Sequence, residues 1–132
     1  MKIYVVEDRK PDRKLLEMII EQIDGDDKLI FFTSGKEAIE KINTGALPDL
    51  IILDLIMPVN GLVTLKTLKD MPNAKDVPVA IYTFYDDGIK QAEAIMLGAC
   101  RYILKSEDPS EEIKSMTGLL DFVRGELSGK WS

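Results

Sequence analysis

Carboxylate, hydroxyl and ammonium side chains follow four apolar runs of this chain, at the point where each run ends. They are Glu7 and Asp8 after the first run, Asp54 after the second, Thr83 after the third and Lys105 after the fourth. If the runs are parallel strands of one sheet, their carboxyl ends lie along the edge where open α/β sheets bind ligands. Three carboxylates suit a divalent cation, and a hydroxyl and an ammonium suit phosphoryl oxygens. The set predicts a pocket in which an aspartate carries a phosphoryl group beside a cation.

Asp54 is the candidate nucleophile of this pocket, because a carboxylate can take a phosphoryl group as an acyl phosphate. Glu7 and Asp8 would repel it unless a cation lay between them. Mg²⁺ prefers oxygen ligands, and Asp8, Asp54 and a backbone carbonyl such as that of Ile56 would fill half of its coordination shell. Taken alone, Asp54 is also explained as a helix cap, and the Glu7–Asp8 pair as favouring the dipole of the first helix.

Lys105 and Thr83 are the candidate phosphate ligands. The lysine would act as a point charge and the threonine would donate its hydroxyl to a phosphate oxygen. Each also has an ordinary explanation, as a solvated lysine and as a β-branched strand residue. The position of all these residues at successive strand ends favours the joint functional interpretation.

Strand-like runs alternate with amphipathic segments of helical length along the chain. The strands are predicted at 2–6, 28–32, 49–55, 77–82 and 101–104. Helices are predicted to begin at Pro11, at Ser34 with Glu37 in a capping box, after Gly61, over 86–97 with Gly98 as its cap, and at Pro109. Their apolar faces include Leu15, Leu16, Ile19, Ile20 and Ile23 in the first helix and Ile113, Met116, Leu120, Val123 and Leu127 in the last.

This (βα)₅ alternation predicts an α/β fold, a three-layer sandwich with helices on both faces of a parallel five-stranded sheet. The expected strand order is 2-1-3-4-5, the flavodoxin-like arrangement, whose switch point lies between strands one and three. Asp8 and Asp54 stand at the ends of those two strands. We expect one domain over residues 1–126 and a short, frayed tail over 127–132.

Composition narrows the classes of function. The net charge of −6 argues against direct binding to nucleic acid or to an anionic membrane surface. With one cysteine and no histidine, the chain has neither an internal disulfide nor a histidine-based triad or metal site. No signal peptide or membrane-length apolar stretch is evident, so we expect a cytoplasmic protein.

Four segments carry a resemblance to a known family: VVED (5–8), ILDLIMPVNG (52–61), YT (82–83) and GACRYILK (98–105). With them the chain resembles, over residues 2 to about 124, the receiver domain of two-component response regulators, of the chemotaxis-type single-domain kind. The resemblance implies Mg²⁺-dependent phosphoryl transfer to Asp54 from the phosphohistidine of a sensor kinase or a phosphotransfer protein. It implies no catalysis beyond the chain's own phosphorylation and dephosphorylation.

The resemblance also implies a role for each site residue. Asp8 matches the direct metal ligand and Glu7 an acid that holds the metal through water. Thr83 and Lys105 match the switch hydroxyl and the phosphate-binding lysine, and Tyr102 matches an aromatic that rotates when the hydroxyl moves. The surface of helix four, strand five and helix five would then contact a downstream protein.

Three residues depart from the family pattern. Ser106 stands where a proline usually follows the lysine, which leaves the geometry of the Lys105 loop open because a cis peptide is costly without proline. Asn60 replaces a common aspartate and is expected only to change a helix cap. Phe84 stands where a small residue is preferred. Its ring would narrow access to Asp54, so we predict slow uptake and slow loss of phosphate.

Other interpretations remain open. A pseudo-receiver would bind partners without phosphorylation. An aspartate-nucleophile phosphatase of the haloacid dehalogenase type would need a second aspartate where Ile56 stands. A flavodoxin would need a loop richer in hydroxyl or glycine residues than EDRKPD (7–12).

Because no output domain is evident, we expect a protein–protein function as a single-domain regulator or a phosphorelay shuttle, with homodimerisation left open. Leu119 and Phe122 would mark a dimer or partner face, or else flank the core. Trp131 would be a docking side chain or part of a disordered tail.

Overall fold

Strands and helices alternate strictly along the part of the chain that the computed structural model describes, residues 1–57 and 60–129. The strands are β1 (Lys2–Val6), β2 (Lys28–Phe32), β3 (Leu50–Leu53), β4 (Val79–Thr83) and β5 (Arg101–Leu104). The helices are α1 (Lys10–Ile23), α2 (Gly35–Asn43), α3 (Gly61–Asp70), α4 (Gly88–Met96) and α5 (Pro109–Leu127). The predicted alternation is therefore confirmed.

The five strands form one parallel sheet in the order β2-β1-β3-β4-β5. This is the predicted order, with the switch point between β1 and β3. Every residue of β3 and β4 is buried, as expected for central strands covered on both faces. The carboxyl ends of β1, β3, β4 and β5 consequently meet at one edge.

Two apolar cores lie on opposite faces of the sheet, because successive strand residues point to opposite sides. Tyr4 and Val6 pack into the core formed with α2, α3 and α4. Ile3 and Val5 pack into the core formed with α1 and α5. Each fully buried aliphatic side chain contributes roughly 1.5–3 kcal/mol, so the two cores hold the three layers together.

The predicted helix signals operate at the ends of the helices. Ser34 caps α2, and its hydroxyl oxygen accepts the backbone N–H of Glu37 at 3.2 Å. Pro11 and Pro109 stand in the first turns of α1 and α5, where a missing N–H costs nothing. Gly98 follows α4 with φ of 108°, a left-handed conformation that glycine adopts without strain.

Two residues predicted to face the core are exposed. Leu15 is 37% exposed, because it lies at the edge of the α1 stripe that Leu16, Ile19 and Ile20 centre on the sheet. Leu127 is 57% exposed. With 19 residues, α5 is about 28 Å long and the strands only about 17 Å, so its last turn extends beyond the sheet.

Several predicted boundaries also move. Helix α4 begins at Gly88 rather than at residue 86, because the Asp87 carboxylate accepts the N–H of Ile89 and caps the helix. Strand β3 spans Leu50–Leu53 and β4 spans Val79–Thr83, so that Asp54 lies in a loop and Thr83 is the last residue of its strand.

Leu119 is fully buried and belongs to the core between the sheet and α5. Phe122 packs at the edge of that core, with the Arg101 guanidinium 4.5 Å from its ring centre. The interpretation of Leu119 as a core contact is therefore confirmed. Trp131, for which the sequence left open a docking side chain or a disordered tail, lies outside the described residues. Within residues 1–57 and 60–129, no helix has the length and apolar character to cross a bilayer.

Candidate functional site

The sheet brings four of the predicted site residues to one edge. Glu7 and Asp54 directly follow β1 and β3, Thr83 ends β4, and Lys105 directly follows β5. The strand ladder continues through these positions, since Asp54 N–H donates to the Val6 carbonyl at 3.2 Å and Lys105 N–H to that of Thr83 at 2.7 Å. The backbone thus holds the site residues as rigidly as it holds the strands.

Lys105 lies at the centre of the site. Its ammonium donates to a Glu7 carboxylate oxygen, to Asp12 Oδ2 at 3.1 Å and to Asp54 Oδ2 at 3.0 Å. Only 3% of the lysine side chain is exposed. A buried ammonium is costly unless paired, and here three carboxylates compensate for the lost water.

Asp12 is a member of this site that the sequence analysis did not identify. It lies in the first turn of α1, and the oxygens of Glu7, Asp12 and Asp54 lie within 4.8 Å of one another. The available signal was an acid in a first helical turn close after the Glu7–Asp8 pair. That position is also the usual place for an acid that favours the helix dipole, so the residue type alone did not distinguish it.

Asp8 and Ile56 take other positions. Asp8 is exposed and is not one of the three acids whose oxygens converge. Ile56 donates its backbone N–H to Asp54 Oδ1 at 3.0 Å, and its side chain is exposed. Direct metal ligation by Asp8 and by the Ile56 carbonyl stays a prediction. Asp54 does not cap α3, because the Asn60 side chain does so by accepting the N–H of Leu62 at 2.9 Å.

The pocket shifts the pKa values of its ionisable side chains in different directions. Burial raises the pKa of Glu7 to about 7, although the hydrogen bond from Lys105 opposes the shift. Burial also works to raise the pKa of Asp54, but the Ile56 N–H and the Lys105 charge outweigh it and lower that pKa. Burial works to lower the pKa of Lys105, but its bonds to Glu7 and the charge of Asp54 raise it. Asp54 is therefore ionised and Lys105 charged at neutral pH.

The donor set fits a hard divalent cation. Glu7, Asp12 and Asp54 supply carboxylate oxygens, which Mg²⁺ and Mn²⁺ prefer over nitrogen or sulfur. Two of the three acids are buried, so the cation would be partly removed from bulk water. The acidic triad is therefore able to bind a metal ion.

Thr83 and Tyr102 both contact the backbone of Tyr85. The Tyr85 N–H donates to Thr83 Oγ1 at 3.3 Å, and the Tyr102 hydroxyl donates to the Tyr85 carbonyl at 2.5 Å. Thr83 is fully buried, whereas Tyr102 is half-buried. The backbone of Tyr85 is thus tied to the site through Thr83 and to β5 through Tyr102.

Two aromatic rings flank the lysine. The ring centres of Tyr82 and Phe84 each lie 5.4 Å from the Lys105 nitrogen. Tyr82 is buried and Phe84 is 49% exposed at the mouth of the site. The peptide after Lys105 is not cis, since the described residues contain no cis peptide bond, and the Ser106 N–H donates to the buried Glu112.

The fold and the site together define a class, the doubly wound α/β proteins with an acid–lysine pocket at the switch point of the sheet. Residues 3–117 match the family model described as the response regulator receiver domain. The chain therefore belongs to the response regulator receiver family of two-component signalling, as the sequence resemblance indicated.

Relatives and solved structures agree with this assignment. The chain is 36% identical over 110 residues to a protein-glutamate methylesterase/protein-glutamine glutaminase of Desulfotalea psychrophila, an alignment that covers 82% of this chain and 30% of that protein. The chain spans about a third of the length of the first curated relatives it matches.

Two solved structures of response regulators have the same fold as this chain. The Mn(2+)-bound form of response regulator Rcp1 is 26% identical, with a TM-score of 0.79 and 92% of each chain covered. The phosphorylated cyanobacterial phytochrome response regulator RcpA is 26% identical, with a TM-score of 0.83, and the match covers 95% of this chain and 94% of that one.

Proposed function

We propose that Asp54 accepts a phosphoryl group from the phosphohistidine of a sensor histidine kinase or a histidine phosphotransfer protein, in a reaction that requires Mg²⁺. The observation that carries this proposal is the buried Asp54 carboxylate, held at 3.0 Å from the Lys105 ammonium within a cluster of acids. The phosphorylated state of the similar RcpA structure supports it.

The transfer makes one bond and breaks another. An Asp54 oxygen attacks phosphorus to form a P–O bond, the P–N bond to the histidine breaks, and its electron pair stays on the imidazole nitrogen. The lowered pKa of Asp54 keeps the nucleophile ionised without a general base. Lys105 offsets the charge of the phosphoryl oxygens, and Thr83 offers them a hydroxyl donor.

The cation would be held by Asp8, Asp54 and the Ile56 carbonyl directly and by Glu7 through water, with Mg²⁺ supplying charge neutralisation to the phosphoryl oxygens. The similar Rcp1 structure is a Mn(2+)-bound form, which supports the binding of a divalent cation by this chain. The triad of Glu7, Asp12 and Asp54 supports it from this chain's own residues.

Asp8 and Asp12 are alternative candidates for the direct ligand of the cation. Asp12 already contacts Lys105 at 3.1 Å and Arg9 at 3.8 Å, whereas Asp8 is exposed and pairs with no cation among residues 1–57 and 60–129. We therefore expect Asp8→Asn to weaken Mg²⁺ binding by about tenfold to a hundredfold and Asp12→Asn by less. Calorimetric titration of both variants measures this. A larger loss in Asp12→Asn would replace Asp8 by Asp12 as the direct ligand.

Phosphorylation would act as a two-state switch. It adds about two negative charges at Asp54, which give Thr83 and Lys105 a new partner. When the Thr83 hydroxyl turns to the phosphate, it leaves the Tyr85 N–H, and Tyr102 is then released to rotate. The affected surface, formed by α4, β5 and α5, carries exposed apolar side chains for a downstream protein. These are Ile89, Ile95, Met96 and Leu104.

Intact-mass spectrometry after incubation with acetyl phosphate and Mg²⁺ tests the phosphoacceptor. We expect the gain of one phosphoryl group, and its loss in Asp54→Asn and in a sample treated with EDTA. Absence of the gain in the wild type and in Phe84→Ala would favour the second candidate function, a phosphorylation-independent interaction domain. The observation behind that candidate is the Phe84 ring, which stands over Lys105 at the mouth of the site.

A further inference from the structure

Glu112 is a buried carboxylate for which the phosphoacceptor site has no role. It lies in the first turn of α5 and is 1% exposed. It accepts two hydrogen bonds, one from the Tyr82 hydroxyl and one from the Ser106 backbone N–H. No lysine or arginine among the described residues forms an ion pair with it. Its charge is therefore stabilised by these two donors and by the amino end of α5.

The two donors adjoin the residues that would bind phosphate. Ser106 directly follows Lys105 in the chain, and Tyr82 directly precedes Thr83. The Tyr82 ring also lies 5.4 Å from the Lys105 nitrogen. Glu112 thus joins three pieces of the molecule: the end of β4, the loop after β5 and the first turn of α5.

Burying the Glu112 carboxylate costs free energy. Burying an ionised group costs more than burying an apolar side chain, and an apolar pair in place of Tyr82 and Glu112 would fill the same space without that cost. The Ser106 N–H, however, needs an acceptor that an apolar side chain does not offer. We therefore infer that Glu112 acts on the loop that carries Lys105, through its hydrogen bond with the Ser106 N–H.

We propose that Glu112 is a positioning residue for phosphoryl transfer, which holds the Ser106 backbone and thereby keeps the Lys105 ammonium directed at Asp54. This inference rests on the proposed phosphoacceptor function. Because displacement by a fraction of an ångström costs rate in a preorganised site, release of the loop would slow the transfer even in a fully folded protein.

The experiment separates positioning from folding. In Glu112→Leu both bonds are lost and the Tyr82 hydroxyl is left without its acceptor, so both stability and rate fall. In the double variant Tyr82→Phe/Glu112→Leu no tyrosine hydroxyl is left without an acceptor, which restores part of the stability against urea, while the Ser106 N–H still lacks its acceptor. We expect its phosphorylation by acetyl phosphate at saturating Mg²⁺ to stay about tenfold slower than wild type. A double variant that is as fast as wild type would overturn the proposal.

Two further variants sharpen the result. Glu112→Gln keeps an oxygen for the Ser106 N–H and can donate its amide to the Tyr82 oxygen, so we expect a rate within about threefold of wild type. Glu111→Leu removes an exposed carboxylate from the same helical turn and is expected to leave the rate unchanged. A rate in Glu111→Leu as low as in Glu112→Leu would attribute the effect to the charge of the helix end and contradict positioning.

Hydrogen exchange in the wild type is independent of whether the leucine variants fold. The Ser106 amide is expected to exchange more slowly than the amide of the exposed Glu107, measured by ¹⁵N-resolved NMR. Equal exchange rates would show that Glu112 does not hold this N–H, and the inference would fail. If the wild type takes up no phosphoryl group, the proposed function fails instead, and the two failures are thereby distinguished.

Discussion

Phe84 lies beside the charged groups of the site and is partly open to solvent. Its ring is half-exposed and lies 5.4 Å from the Lys105 nitrogen, a distance at which a ring attracts an ammonium by roughly 0.5–1 kcal/mol. We expect Phe84→Ala to speed both the uptake of phosphoryl groups from acetyl phosphate and their loss, by about two- to fivefold.

Time courses of intact mass measure both rates for Phe84→Ala. Met18→Ala is the control, because Met18 is an exposed apolar residue on α1 that belongs neither to the site nor to the surface of α4, β5 and α5. Rates in Phe84→Ala that equal those of the wild type would contradict the hypothesis that the ring restricts access to Asp54.

Glu7 is expected to make cation binding depend on pH near neutrality. Burial raises its pKa to about 7, so at lower pH the side chain is protonated and must lose its proton before it can help to hold a cation. The apparent affinity for Mg²⁺ therefore rises with pH, about tenfold between pH 6 and pH 8, and levels off above the pKa.

Calorimetry across this pH range tests the role of Glu7. Glu7→Gln is expected to bind Mg²⁺ more weakly and with little dependence on pH, while Glu21→Gln, an exposed acid of α1, should behave as the wild type. If the pH dependence of Glu7→Gln matches that of the wild type, another group is responsible.

Gly61 governs how closely helix α3 can approach the site. A Cβ at this position would lie 2.4 Å from the Asp54 carbonyl oxygen and 2.7 Å from Leu55 Cα, and backbone atoms cannot move aside as a flexible side chain can. We expect Gly61→Ala to lower the free energy of unfolding by about 2 kcal/mol and to displace the loop that carries Asp54.

Gly118 in α5 is the matched control, because a Cβ there meets nothing within 4 Å. Gly118→Ala is expected to raise the free energy of unfolding by about 0.5–1 kcal/mol through the entropy of the unfolded chain. Urea denaturation compares the two variants. Equal stabilities would mean that the start of α3 relaxes without cost.

At the scale of the secondary-structure elements, most strands and helices were predictable from the sequence. The apolar runs bounded by polar or glycine residues located all five strands, and Ser34, Pro11 and Pro109 located three helix starts. The boundaries of β3 and β4 were not, because a strand ends where its neighbour stops pairing with it, which depends on register rather than on local sequence. The start of α4 was placed two residues early because Asp87 was not identified as its cap.

At the scale of the whole molecule, the hydrogen bonds that link Thr83 through Tyr85 to Tyr102 predict which elements change conformation on phosphorylation. We expect amide chemical shifts to change in the β4–α4 loop, in α4 and in β5 when acetyl phosphate and Mg²⁺ are added. Helix α2 forms no hydrogen bond or ion pair with a site residue within residues 1–57 and 60–129, and it should change little. Asp54→Asn should show none of the changes that depend on acetyl phosphate. Shifts restricted to the immediate neighbours of Asp54 would contradict the proposed switch.

The sequence by itself determined the class of the fold and most of the polar residues of the pocket. In a parallel sheet the residue after each strand is carried to the same edge, so an apolar run and the residue that ends it are enough to place Glu7, Asp54, Thr83 and Lys105. This inference needs the period and order of the strands but no knowledge of packing.

Only the tertiary structure decided which acids complete the pocket and its support. Asp12 meets Lys105 across 93 positions of the chain, and Glu112 meets Tyr82 across 30. Whether a helical residue reaches such a partner depends on the rotation of its helix and on the path of the preceding loop. Those are set by how all three layers pack, and no short segment of the sequence encodes them.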